Sequence, residues 1–280
     1  MQPAMSFEAP TMQSAEPNLP PGTIQTGLGE PLVLMHGVMG SPAMWRETLP
    51  LLAASQRVIA LPALGHLGGR TCEQRPCRFQ YIVDDAERSL DALGLHRAHL
   101  AGNSMGGWMA LELARRGRAL SVCALSPAGM WENTKNFAGA KKLRLTAKVT
   151  RLTRPNLPFY AKFGPVRRLA LRDTAEHGDR VSPALLIELA DAVLACKVGA
   201  DLLETPERLE PFEAKCPIDI VWSAKDRIFP PDPFASSARK RIPNARHLTL
   251  ADIGHVPMLD NPSLVAQTIL DTIARTSSNC

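Results

Sequence analysis

The sequence predicts an α/β fold, in which a mostly parallel sheet carries helices on both faces and is divided by a long helical insertion. Three observations point there. Short apolar runs alternate with amphipathic stretches of helical period, the signature of strand–helix–strand units. The alternation stops near Trp131 and resumes near residue 218, with helical patterns and no convincing strand between. Gly-, Ser-, Asp- and His-bearing segments each directly follow a strand, where ligands collect on open α/β sheets.

The elements follow in order. Pro31–Met35 (PLVLM) reads as a buried strand. Ser41-Pro42 then opens a helix with Ser as N-cap and Pro at its first position, and Trp45, Leu49 and Leu52 give it one apolar face. Arg57–Leu61 is the next strand, broken by Pro62 and a Gly-rich loop through Gly69. Residues 79–93 read as a helix stopped by Gly94, 98–101 as a strand, 106–116 as a helix ended by Gly117, and 121–125 as a strand. After the insertion come a strand at 218–222, a helix at 234–241, a strand at 245–250 and a helix over Pro262–Ala274.

Composition narrows the class. The chain has 280 residues, enough for one large α/β domain with an insertion, and no run is apolar for the roughly 20 residues a membrane span needs. Residues 1–22 mix Pro, Gln, Ser and Glu and lack the basic start and apolar run of a signal peptide. They read as a disordered or extended tail, with an edge strand near residues 5–8, and the cytoplasm is the expected location. The organisation expected is this tail, a first core part at 23–130, the insertion at 131–211 and a second core part at 212–280. Six scattered cysteines read as free thiols, and Cys72 and Cys77 match no common zinc spacing, so no metal is expected. A net charge of +5 is mild and lacks the basic stripe and motif of a nucleic-acid binder.

Gly102-Asn103-Ser104-Met105-Gly106 lies between a strand and a helix, the setting a strained serine nucleophile requires. Side chains flanking so tight a turn would collide, hence the glycines. The blander reading is a Gly-rich turn with a serine N-cap, and the flanking strand and helix count against it. His36-Gly37-Val38-Met39-Gly40-Ser41 follows the first strand and is the candidate second arm of an oxyanion hole, with N–H groups from Val38 and Met105 as donors. Otherwise it is an ordinary Gly-rich loop with a structural His36. Asp226 and His255 each follow a strand. An imidazole suits a base that must take a serine proton, and a buried carboxylate fixes its tautomer. Asp252 and Asp260 rival Asp226 but stand too close to His255 in sequence. His66, His96, His99, His177 and His247 read as structural or exposed. Gly37, Trp108 and Met130 are candidate substrate contacts, although Trp108 suits the core equally well.

HGVMGS, GNSMGG, WSAKDRIFP and GHVPMLDNP together resemble the α/β-hydrolase superfamily over roughly residues 23–280 apart from the insertion. The resemblance implies an eight-stranded, mostly parallel sheet and a helical cap after the sixth strand. It also implies a Ser104–Asp226–His255 triad acting through an acyl-enzyme without a cofactor. Cleavage of a carboxylic ester is the reaction expected, on a small-molecule ester or acyl substrate. The GNSMGG elbow is also similar to that of carbon–carbon bond hydrolases of ring-cleavage acids, and a cap arginine near Ser104 would favour that chemistry. A non-catalytic hydrolase-like binding protein is a further alternative, as is a lyase or acyltransferase using the same elbow. Members with an Asp nucleophile, epoxide hydrolases among them, are set apart by Ser104. Leu61-Pro62-Ala63-Leu64 stands where members commonly place an Asp before the Gly-His pair.

The insertion is polarised. Basic residues from Lys135 to Arg172 crowd its first half, and Glu188, Asp191, Asp201, Glu204, Glu207 and Glu210 occupy its second. Lys141, Arg144, Lys148 and Arg151 fall on one helical face beside Leu145, Val149 and Leu152. The plain reading is a solvated face partly neutralised by the acidic half. Contact with anionic lipid, or reception of an anionic substrate, are the other two.

Overall fold

Strands that are apolar along their whole length must be covered on both faces, and the chain supplies that cover twice. The computed structural model describes residues 18–132 and 138–276. Its strands are β1 (Ile24–Thr26), β2 (Pro31–Met35), β3 (Arg57–Leu61), β4 (Ala98–Asn103), β5 (Ala119–Leu125), β6 (Ile218–Ser223) and β7 (Arg246–Leu250). They form one sheet in the order β1-β3-β2-β4-β5-β6-β7, with β1 antiparallel to β3 and the other pairings parallel. The described sheet thus has seven strands where eight were expected. The strand expected near residues 5–8 lies outside the described residues, as do Lys135, Cys280 and most of the N-terminal tail. Residues 18–22 are tied down, with the Gly22 N–H donating to Gly68 O at 2.8 Å.

Alternate residues of β2 show the two-sided burial. Leu32 and Leu34 join Trp45, Leu52 and Val58 in one core, and Val33 and Met35 join Ile59, Ile82 and Leu90 in the other. On the first side lie α1 (Leu49–Ala53) and α11 (Pro262–Ala274). On the second lie α2 (Phe79–Ala92), α3 (Met105–Arg115) and α9 (Pro231–Arg241).

Between β5 and β6 run α4 (Ala138–Thr153), α5 (Leu157–Tyr160), α6 (Gly164–Leu171), α7 (Pro183–Ala195) and α8 (Gly199–Leu203), with no strand among the described residues. Leu157, Ala161, Leu171, Leu185 and Leu186 of this segment share the core that holds Trp45 and Ile269. A short α10 (Pro257–Asp260) precedes α11.

The sheet order positions the site. The chain leaves β2, pairs β3 on one side of it, then crosses to pair β4 on the other. β2 and β4 therefore flank a topological switch point, where a crevice opens beyond the strand ends. Met35 pairs with Gly102, so the loops following both strands emerge side by side.

Candidate active site

β4 runs into α3 with a single residue, Ser104, between them. Its φ is +58° and ψ −117°, a left-handed conformation that costs a non-glycine residue about 1–3 kcal/mol unless its surroundings enforce it. They do. The Ser104 N–H donates to Leu125 O at 2.9 Å, and its carbonyl accepts from Trp108 N at 3.1 Å and Ala128 N at 2.9 Å. A Cβ on Gly102 would lie 2.1 Å from Gly106 O, and one on Gly106 would lie 2.2 Å from Met35 O. The two glycines of the pentapeptide are thus required by close backbone approach.

Beside this turn, the loop after β2 is held by His36. Its Nε2 accepts from the Ala63 N–H at 3.0 Å, so its Nδ1 carries the proton and donates to Gly37 O at 2.8 Å. Burial, followed by the neighbouring His66, pushes the His36 pKa down to about 3, and the ring is neutral at ordinary pH. Burial likewise lowers His66 to about 4. The segment after β3 thus meets the β2 loop through an imidazole, at Ala63. A Cβ on Gly37 would sit 3.3 Å from the Ser104 Cβ, which shows how close this loop passes to the serine.

Asp226 and His255 arrive from β6 and β7. The His255 Nδ1–H donates to Asp226 Oδ2 at 2.8 Å, and both side chains are buried. The other carboxylate oxygen accepts from the N–H groups of Ile228 (2.8 Å) and Phe229 (2.7 Å), which fixes its direction. With Nδ1 committed, a neutral ring leaves Nε2 as an acceptor. Asn103 Nδ2 donates to His255 O at 2.8 Å and to Leu125 O at 3.2 Å, joining the β4 turn to the histidine loop. That Asn103 role went unread in the sequence, although the residue lies inside GNSMGG.

The rival carboxylates are occupied elsewhere. Asp260 accepts from Gly254 N (2.7 Å), Glu176 N (3.0 Å) and His177 N (2.7 Å), clamping the histidine loop to residues 176 and 177. Asp252 lies 3.1 Å from His177 Nε2. Val256 N–H adds a bond to Thr174 O at 2.7 Å.

A cavity of about 530 Å³ opens over this edge. Gly37, Val38, Asn103, Ser104 and His255 line its floor, and its walls are largely apolar, with Leu143, Val149, Leu186, Leu189 and Val193 among them. Arg172 and Asp173 border it as well. Two expected contacts must be corrected. Trp108 stacks on Phe79 with ring centroids 3.5 Å apart, meets Trp131 edge-on, and is buried in the core on the side of the sheet that carries α2, α3 and α9. Met130 is buried in the same core. Neither lines the cavity. The segment after β5 covers the indole so closely that a Cβ on Gly129 would come within 2.6 Å of it. The Met105 side chain also lies in that core, while its N–H belongs to the first turn of α3.

A sheet of this order, with a strained serine at its switch point and an Asp–His pair beyond the ends of β6 and β7, defines an α/β hydrolase. The alpha/beta hydrolase family model matches residues 32–268; the chain belongs to that family and is a hydrolase. Among its relatives, the epoxide hydrolase EphH of Mycobacterium tuberculosis is 34% identical over 206 residues, 69% of this chain and 93% of that one. The 2-hydroxymuconate semialdehyde hydrolase of Pseudomonas sp. strain CF600 is 43% identical over 98 residues, 32% of this chain and 33% of that one. A thermophilic esterase from Thermogutta terrifontis superposes with a TM-score of 0.70 at 23% identity, over 91% of this chain and 93% of that one, a likeness of fold.

Proposed function

We propose that the protein hydrolyses a carboxylic ester through an acyl-enzyme on Ser104. The observation that carries this reading is the Asp226–His255 hydrogen bond of 2.8 Å beside a serine held at φ +58° in the same cavity. His255 Nε2 takes the Ser104 proton as Oγ attacks the acyl carbon. The resulting oxyanion is held by the N–H groups of Val38 and Met105. His255 then protonates the leaving alcohol and afterwards activates water, which releases the acid and restores the serine. Asp226 stabilises the imidazolium that forms at each step.

The relative named as an epoxide hydrolase makes epoxide opening the reaction to compare. Ser104 attacking an epoxide would leave an ether, which offers water no acyl carbon to attack, so turnover would stop after one event. A second reading, cleavage of a carbon–carbon bond in a dioxo acid, is favoured by Arg172 at the cavity, a partner for a substrate carboxylate, and by the 43% local identity to a semialdehyde hydrolase. Its alkyl-acyl bond would break with the same serine and base.

Release of p-nitrophenol from esters of increasing acyl length tests the proposal. Turnover is expected to peak at a medium-length acyl chain, to match the apolar cavity, and to vanish in Ser104→Ala. A folded protein that leaves every ester intact yet cleaves a dioxo acid would replace the ester reading with the second.

A further inference from the structure

Seven of the eleven large exposed hydrophobic side chains among the described residues fall between Leu145 and Leu169. So dense a cluster differs from the scattered exposed apolar residues normal on a soluble surface. Four of them, Leu145, Val149, Tyr160 and Leu169, also line the cavity above Ser104, so they form its mouth. Leu152, Phe159 and Phe163 stand outside it, exposed to 72%, 61% and 50%. Phe159 lies 5.2 Å from the Tyr160 ring and 5.8 Å from the Phe163 ring, centroid to centroid, which makes a continuous aromatic ridge.

Charge identifies the partner. From Lys141 to Arg172 the chain carries no Asp or Glu. Some of its cations are neutralised by the acidic second half, as Arg144 by Glu204 at 2.9 Å and Arg154 by Asp191 at 2.6 Å. Lys141, Lys148, Arg151, Lys162 and Arg168 form no ion pair among the described residues. On α4, Lys148 and Arg151 adjoin Val149 and Leu152, and Lys162 precedes Phe163. Apolar side chains interleaved with free cations fit a surface that is apolar beneath an anionic layer. Two copies of this face would instead bring like charges together.

We infer that α4 to α6 form a docking surface for an anionic phospholipid bilayer, with the cavity mouth facing the lipid. Leu152, Phe159 and Phe163 enter the headgroup–acyl boundary, while Lys148, Arg151 and Lys162 meet lipid phosphates. An amphiphilic ester then passes from the bilayer to Ser104 along apolar walls. Only that last consequence rests on the ester reading; docking itself does not.

The test is co-sedimentation of the full chain, as Ser104→Ala so that nothing turns over, with vesicles of phosphatidylcholine or of phosphatidylcholine with equimolar phosphatidylglycerol. Binding is expected to the anionic vesicles, at least ~10-fold weaker to the neutral ones, and weakened by salt. In the same background Phe159→Asp with Phe163→Asp, and separately Lys148→Glu with Arg151→Glu, should each lower partitioning at least ~10-fold. These four residues do not line the cavity, so with Ser104 restored both variants should hydrolyse a short soluble ester like the parent protein, which also shows that they fold. Equal partitioning into both vesicle types, or none, would overturn the inference. So would self-association abolished by Phe159→Asp, which would make a second copy the occupant. Vesicle binding without ester turnover would sink only the ester reading, and turnover without vesicle binding only the docking.

Discussion

Asn103 shows what a single side chain does at this site. Its amide ties the carbonyl of His255 to the carbonyl at the end of β5, which holds the histidine loop against the serine turn. Asn103→Ala should lower kcat by about 10–100-fold with KM little changed, and cost roughly 1–2 kcal/mol of stability. Unchanged kcat with reduced stability would make Asn103 a packing residue only. Asp226→Asn keeps the shape but removes the charge that orients the imidazole, and steady-state kinetics should show kcat down by about 10³–10⁴-fold with the melting curve nearly intact. At this scale the pentapeptide was legible because its glycines answer to local backbone crowding. Trp108 and Met130 were misplaced because adjacency to the serine in sequence says nothing about which face of the sheet a side chain enters. The turn after β5 that buries the indole depends on Gly129 at φ +80° and is tertiary information.

Elements were readable where one physical cause dominated. Arg57–Leu61 and Pro262–Ala274 match their expected bounds because an unbroken apolar strand and a Pro-initiated amphipathic helix have few alternatives. The helix expected from Pro42 through Leu52 is two pieces, a 3₁₀ turn at Pro42–Trp45 and α1, since Pro50 has no N–H to continue the ladder. The turn of α9 is broken at Asp232, whose ψ of 130° is the extended value that a following proline imposes. β1 escaped notice because Ile24 is its one apolar residue, and its place comes from pairing with β3. The clamp on the histidine loop belongs to this scale too. Asp260→Ala leaves three N–H groups without their acceptor, and should cost about 2–4 kcal/mol by thermal denaturation while hydrogen exchange at residues 254–256 accelerates. Unaltered exchange there would show that the loop is held by other contacts.

For the whole molecule, the division into two cores on one sheet was legible, but its polar interior was not. His36 and His66 are buried as neutral rings, with pKa values pushed by burial to about 3 and about 4 from an ordinary 6.5. Between those values and 6.5 the unfolded chain binds more protons than the folded one, so stability rises with pH across that window. The contribution is complete above 6.5 and is lost as pH falls toward about 4 for His66 and about 3 for His36, with each ring adding a slope of up to ~1.4 kcal/mol per pH unit. Urea denaturation across this range should therefore show a falling midpoint, and the fall should be shallower in His66→Gln. An equally steep fall in that variant would assign the acid sensitivity to other groups. The serine turn lies at the switch point beside β2, and residues of the helices between β5 and β6 wall the cavity above it.

In the proposed reaction Ser104 carries an acyl group during turnover. The most direct measurement is to mix the protein with a p-nitrophenyl ester, quench in acid, digest, and locate the added acyl mass. Acylation is expected on the peptide containing Ser104, formed at the rate of the p-nitrophenol burst and absent from Ser104→Ala. Turnover with the acyl mass on another residue, or undiminished turnover in Ser104→Ala, would contradict it.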